Sequence, residues 1–398
     1  MIYRLVILAV LFTGCARAPL KNAAQSMRLS DARLEMHDDM EFPSLVKALE
    51  TNVQFLQEKG AGDFQFGPRT VARAEYLSAL EGLLLAAKAD PAGAAFREKL
   101  AADFETYEVY GDEEWGQILL TSYFEPVIDG SLKKNSKHTQ ALYGLPKDLV
   151  QIQLSTFAKA RPQLVTDAVL RGRLLAAEDE GPPRIVAYSD RAEINAAGLK
   201  SAPVLAWVDP IDAFFLEIQG SGIVTLNPKS ELKVGYAGQN GHPYVAIGKS
   251  LMDVIPKEKL SLQTIEAHLR GLSSAQAAKI METNPSYVFF RKLSGSGITF
   301  LGTEVNPGRT IATDQALFPK GALAFLQFEK PEFQTPQDTE PVRWRPASRF
   351  VLDQDTGGAI RGPARADLFW GRGPSAKQSA GVIKNKARLY YFVPKAKG

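Results

Sequence analysis

From about Tyr123 onward the chain becomes a succession of short runs rich in β-branched and aromatic residues. "RIVAYSD", "AFFLEIQGSGIVTL", "SYVFFRKL", "ITFLGTEV", "ALAFLQFEK", "RFVLDQD" and "RLYYFV" are each cut off by Gly, Pro, Asn or Asp. Runs of this length bounded by turn residues read as strands of a many-stranded all-β body. Before them the period is helical. "FPSLVKALETNVQFLQEKG" spaces Leu45, Leu49, Val53 and Leu56 along one helix face, and Gly60 marks a stop. "RAEYLSALEGLLLAAKAD" and "AAFREKLAADFETY" predict two further helices. A helical interlude at 261–282 interrupts the strands, with Ser273 and Gln276 at capping-box spacing. The 398 residues exceed what one hydrophobic core organises, about 250–300. The expected architecture is mainly β, with N-terminal helices packed on two β-rich bodies whose natural form is a barrel.

The start, "MIYRLVILAVLFTGCARAPL", has Arg4 as a minimal positive region ahead of an apolar run too short to span a bilayer, which takes about 20 apolar residues. It has the shape of a secretory signal. "LFTGC" resembles a bacterial lipobox and ends at Cys15, the sole cysteine, so the expectation is removal of residues 1–14 and lipidation of Cys15. Ala16 rather than Asp after it points to the outer membrane of a Gram-negative cell, facing the periplasm. The net charge of +3 is nearly balanced and argues against a nucleic-acid partner.

Several chemistries lack their motifs. The four histidines stand in no metal-binding spacing, so neither a metal nor a cofactor is expected. No G-x-S-x-G elbow occurs. "GRGPSA" fits a dinucleotide loop only formally, because Pro374 removes an amide that would face phosphate. "DTG" at 355–357 has no second copy with which to form an aspartic-protease pair.

What remains is "DTGGAIRGPARADLFWG", residues 355–371. Its glycines permit a tight return that brings Asp355 and Asp367 to one rim. Phe369 and Trp370 offer flat apolar surface beside Asp367: a stacking face for a sugar, and an environment that favours the protonated acid. A protonated carboxyl beside a sugar platform suits glycosidic cleavage. Residue chemistry alone leaves open the plain alternative that both aspartates are turn formers.

"TSYFEP" (121–126), "DPIDAFFLEIQGSG" (209–222), "GYAGQNGHPYVAIG" (235–248), "NPSYVFFR" (284–291), "NPGRTIATD" (306–314) and the 355–371 stretch follow one another in this order. In this they resemble the membrane-bound lytic murein transglycosylase A family. The stretch from about Arg309 resembles the three-aspartate domain, whose aspartates fall on Asp314, Asp355 and Asp367. The resemblance implies a double-psi β-barrel formed by 15–125 and 286–398, a smaller inserted β-domain at 126–285, and a groove between them for a glycan strand. It implies cleavage of the β-1,4 bond from N-acetylmuramic acid to N-acetylglucosamine in peptidoglycan, with 1,6-anhydromuramoyl products. Asp367 is then the single acid and base, and Asp355 supports it. Substrate-binding candidates are Tyr123, Glu125, Gln219, Ser221, Tyr287, Phe290, Thr356, Gly358, Phe369 and Trp370, with core packing the alternative for the aromatics. Arg309 and Asp314 are either a buried pair or substrate contacts, and Arg361 is a candidate for a substrate carboxylate or for Asp355. A monomer is expected. The competing functions are an inverting glycoside hydrolase using both aspartates and a non-catalytic glycan-binding lipoprotein.

Overall fold

The computed structural model describes residues 20, 22–58, 62–161, 169–176, 181–294, 299–357 and 360–396. The expected leader, Cys15, Gly60 and Gly358 lie outside them. Six strands hydrogen-bond in a closed ring: Gln117–Glu125, Lys384–Pro394, Ala322–Glu332, Arg343–Asp355, Thr310–Ala312, Arg365–Arg372, and back to Gln117–Glu125. Closure leaves these strands without a free edge, the standard hazard of an open sheet. Two neighbour pairs are parallel, Thr310–Ala312 with Arg343–Asp355 and Arg365–Arg372 with Gln117–Glu125. Lys384–Pro394 is long enough to serve two partners: its first half pairs with Gln117–Glu125 and its second half with Phe104–Val109. Met27–Leu29 extends this outer flap.

The three predicted N-terminal helices form as Phe42–Glu58, Arg73–Ala89 and Ala94–Asp103, and their apolar faces share one core with the ring. Buried polar side chains fix their seating. Asn52 donates to the carbonyl of Gly321 and accepts from Gln354. Tyr76 donates to Phe392 O and accepts from Leu323 N, so its hydroxyl joins two ring strands. Arg309, one of the largest fully buried side chains, donates to Asp38 Oδ2 (2.6 Å), Ser44 Oγ and Phe350 O. It straps the N-terminal segment to the ring and does not pair with Asp314.

At Pro126 the chain leaves the ring and enters a second sheet: Val288–Lys292, Ser230–Gln239, Ser221–Asn227, Val127–Ser131, Val204–Val208 and Gln140–Tyr143. Among the described residues its two edges meet at one bridge, Gly144 to Phe290, so it curls without the continuous closure of the first body. A separate three-stranded sheet joins Leu149–Gln153, Val169–Leu175 and Arg184–Ala187.

Two expected strands are corrected. "AFFLEIQGSGIVTL" is a helix, Pro210–Gln219, followed by the strand Ser221–Asn227. Asp209 caps the helix at Ile211 N and Asp212 N, Pro210 occupies its first turn, and Gly220 ends it at φ 78°. A helix buried on most sides is apolar nearly throughout, so its period is hard to tell from a buried strand. The described part of "ITFLGTEV" is a loop turned by Thr299 and Thr303, whose hydroxyls lie 2.8 Å apart. The interlude forms as expected, as Leu262–Gly271 and Ser274–Met281, and the Ser273–Gln276 capping box is present. This helical pair also reaches back to the ring. Gln263 donates to Lys377 O and Gln378 O, and Leu262 packs with Phe124, Ala376 and Ala380.

Candidate active site

The short strand Thr310–Ala312 sits between the two strands that carry the aspartates. Ala312 is the register partner of Asp355 on one side and of Asp367 on the other. Their backbones are therefore two strand spacings apart, about 10 Å. On Arg365–Arg372, Ala366 and Leu368 enter the main core, so alternation puts Arg365, Asp367 and Phe369 on the opposite face. On Gln117–Glu125, Ile118 and Leu120 enter that core, and Thr121 and Tyr123 face the aspartates.

This one strand supplies a hydroxyl to each acid. Thr121 Oγ1 donates to Asp367 Oδ1, and Tyr123 Oη donates to Asp355 Oδ2 at 2.8 Å. Beyond this the two acids differ. Asp355 Oδ1 also accepts from the backbone N–H groups of Phe300 and Thr356, both at 2.9 Å. Asp367 has one hydrogen bond among the described residues, and Arg365 Nε stands 3.7 Å from its Oδ1, an ion-pair separation beyond hydrogen-bond range. Burial raises the pKa of Asp367 above the ordinary carboxylate value; the Thr121 hydrogen bond and the Arg365 charge oppose this, and the Asp355 charge adds to it. Burial also raises Asp355, against the hydrogen bonds from Tyr123, Phe300 and Thr356 and the charge of Lys320. Desolvation, with the charges of Asp355 and Asp367 adding to it, holds the half-buried Tyr123 well above its usual value, and it stays a donor.

Behind the site, Asp353 is fully buried and accepts from Lys320 Nζ (2.7 Å), Thr313 Oγ1 and Tyr391 Oη (both 2.6 Å). Asp314 accepts from Ala316 N and from Gly362 N, so its role is to pin the turn between the two acids. Arg361 is exposed and is not among the partners of Asp355.

Several binding candidates are corrected. Phe369 is 4% exposed with its ring against Tyr123, and Trp370 lies on the other face of the strand, against Phe328 and Arg349. Neither presents a ring to the acids' open side. Tyr287 and Phe290 are each 1% exposed in the cores of the second sheet. Glu125 is buried and paired with Arg372 at 3.1 Å. Gln219 accepts from Phe124 N and so ties the second sheet to the ring. Thr356 meets Asp355 through its backbone, while its hydroxyl is buried without a partner among the described residues. Ser221 opens its strand, partly exposed.

Three residues were missed. Thr121 shares a strand face with Tyr123, a signal legible in "TSYFEP" by period two. Arg365 shares a face with Asp367 for the same reason. Phe300, read as strand interior, is 56% exposed, and its N–H holds Asp355. Only the folded loop reveals that.

Among the described residues no group of three or more His, Cys, Asp or Glu is placed to hold a metal, and no helix is long and apolar enough to cross a membrane.

A closed six-stranded ring with an inserted second sheet, and two unequal half-buried acids flanking one short strand, define a mainly β protein with a carboxylate site. Residues 119–291 match the MltA specific insert domain and residues 309–393 match the 3D domain. The membrane-bound lytic murein transglycosylase A of Escherichia coli K12 is 27% identical over 304 residues, 75% of this chain and 72% of that protein. A crystal structure of a membrane-bound lytic murein transglycosylase from Agrobacterium tumefaciens superposes with a TM-score of 0.70 at 25% identity, covering 93% of this chain and 98% of that one. E. coli MltA with bound chitohexaose shares the fold, with a TM-score of 0.69 at 19% identity over 94% of this chain and 96% of that one. The chain belongs to the membrane-bound lytic murein transglycosylase A family, with a C-terminal 3D domain.

Proposed function

We propose that the protein is a peptidoglycan lytic transglycosylase that uses Asp367 as its single acid and base. Its relatives bear that activity in their names. The observation that carries the residue assignment is the unequal saturation of the two acids. Asp355 accepts hydrogen bonds on both oxygens, from Tyr123, Phe300 and Thr356. Acceptor contacts of this kind favour a fixed carboxylate. Asp367 keeps Oδ2 without a hydrogen bond among the described residues and has its pKa raised by burial. It is the acid able to hold a proton and to reach a substrate.

In the proposed cycle Asp367 protonates the glycosidic oxygen as the bond to muramic acid C1 breaks. The same carboxylate then takes the proton of the C6 hydroxyl as that oxygen bonds to C1. The products together have the mass of the substrate. An inverting hydrolase would need Asp355 free to activate a water, and its hydrogen bonds argue against that role. Phe300, exposed beside Asp355, replaces Phe369 and Trp370 as the stacking face. The test is soluble protein incubated with murein sacculi. Anhydromuramoyl products from wild type and none from Asp367→Ala support the assignment; products heavier by one water overturn the lyase reading.

The proposal extends to the envelope of a Gram-negative cell, with residues 1–14 removed, Cys15 lipidated and the enzyme facing the periplasm from the outer membrane as a monomer. It is supported by the lipobox-like segment and the membrane-bound relatives. Cys15→Ala protein that stays with the membrane fraction overturns the anchor. The division into 15–125 with 286–398 around 126–285, the double-psi path of the ring and a groove between the two bodies belong to the same proposal.

A further inference from the structure

Arg365 is at odds with the chemistry assigned to its neighbour. An arginine beside an acid lowers its pKa, yet the acid must hold a proton when the substrate arrives. The guanidinium is also underused. Its Nε is buried with no hydrogen-bond partner among the described residues, and its ion pair there is the loose one to Asp367. An unsatisfied buried donor is costly, and arginine's planar fork is suited to a carboxylate held by two bonds. Asp367 does not supply that geometry, because Thr121 already occupies the oxygen nearest Arg365. The side chain is 32% exposed, so its outer nitrogens are reachable. On the second body, Tyr244 is 44% exposed, and the charge of Arg365 is among those that act on it.

We propose that Arg365 is a specificity-determining residue that takes a carboxylate of the muramoyl substrate into its guanidinium fork, and in doing so withdraws its charge from Asp367. This rests on the reading of Asp367 as the catalytic acid. The ligand chemistry is a carboxylate with two sources in peptidoglycan: the lactyl group of a muramic acid without peptide, or the acidic residues of the stem peptide. Binding neutralises the cation beside Asp367, so the acid gains its proton when a cleavable sugar is present. The groups facing Asp367 are Thr121, Arg365 and Asp355; Tyr123 and Lys320 act through Asp355. Of these, Arg365 has its Nε buried without a hydrogen-bond partner among the described residues.

The experiment compares peptide-free glycan strands and peptide-bearing strands, each native and with carboxylates amidated. kcat/KM for anhydro-product formation is measured for wild type, Arg365→Gln and Arg365→Lys. Wild type is expected to prefer native over amidated strands by about tenfold, one well-made charge-assisted contact. Arg365→Gln is expected to bring that ratio near one, with Arg365→Lys between. The strand type that carries the preference identifies the carboxylate. A ratio unchanged in Arg365→Gln, or no preference in wild type, overturns the proposal. If Arg365→Gln does not turn over, the same ratio is measured as equilibrium binding in an Asp367→Asn background: a ratio near one supports the proposal and an unchanged ratio overturns it. Should Asp367→Asn still cleave, the catalytic assignment fails, while the binding ratio continues to report on Arg365.

Discussion

Among the arginine–carboxylate pairs of this protein, one in each β body forms a contrast, because the two are built in opposite ways. In the second body Arg191 meets Glu217 through two bonds, 3.2 and 2.8 Å, with both side chains at most 5% exposed. Arg191 also donates to the carbonyls of Asn284 and Ser286 and lies over the rings of Phe214 and Tyr287. Glu217 accepts Val288 N as well. In the ring, Arg365 and Asp367 stand 3.7 Å apart, partly exposed, with a donor left over. A saturated pair fixes helix Arg191–Ala197, helix Pro210–Gln219 and strand Val288–Lys292 to one another and has nothing to offer a ligand. The loose pair holds no elements together and keeps its bonding capacity for what enters from outside.

Removing the acid on each side should separate the two kinds of pair most sharply. Asp367→Asn should lower turnover on sacculi by about 10²–10⁴, the usual worth of a positioned acid–base group, with the melting transition intact. Breaking the saturated pair with Arg191→Met leaves Glu217 buried and uncompensated. It should cost about 3–5 kcal/mol in urea denaturation, with activity lost only as folded protein is lost. If Arg191→Met folded normally and failed in catalysis, the contrast would collapse.

Smaller effects sharpen it. Tyr123→Phe removes one of the donors that hold Asp355 as a carboxylate, at about 1.5–3 kcal/mol for a bond to a charged group. Turnover should fall by tenfold or more while binding of glycan strands persists. Thr121→Val removes the hydrogen bond that lowers Asp367, so the alkaline limb of the pH–rate profile, where the acid loses its proton, should move to higher pH. The least effect is on stability. Because burial raises Asp367 above its unfolded value, its contribution is fully present below the unfolded pKa and is lost as pH rises through the folded one. Asp367→Asn does not titrate. Its stability relative to wild type should therefore climb with pH across that window, as thermal melts at stepped pH will read. A relative stability that falls with pH would mean Asp367 is lowered in the fold.

The parts legible in the sequence were those decided by local period and local chemistry. Leu45, Leu49, Val53 and Leu56 announced their helix, Ser273 and Gln276 their cap, and the aspartates at 355 and 367 their common rim. Where burial removes the period, as in Pro210–Gln219, the reading failed. The aromatics misled for a related reason: Phe369 and Trp370 looked like a platform, but an aromatic serves a core as readily as a ligand.

By itself, then, the sequence determined that the chain is mainly β with helices in front, that two acids and a glycine-rich return form one rim, and which family the motifs resemble. Only the tertiary structure decided how the acids differ. That depends on Tyr123, 232 residues from Asp355, on Thr121, 246 residues from Asp367, and on a loop amide at Phe300. Hydrogen-bond saturation and burial are properties of the contacts a side chain makes. Those contacts come from strands that closing the ring brings together.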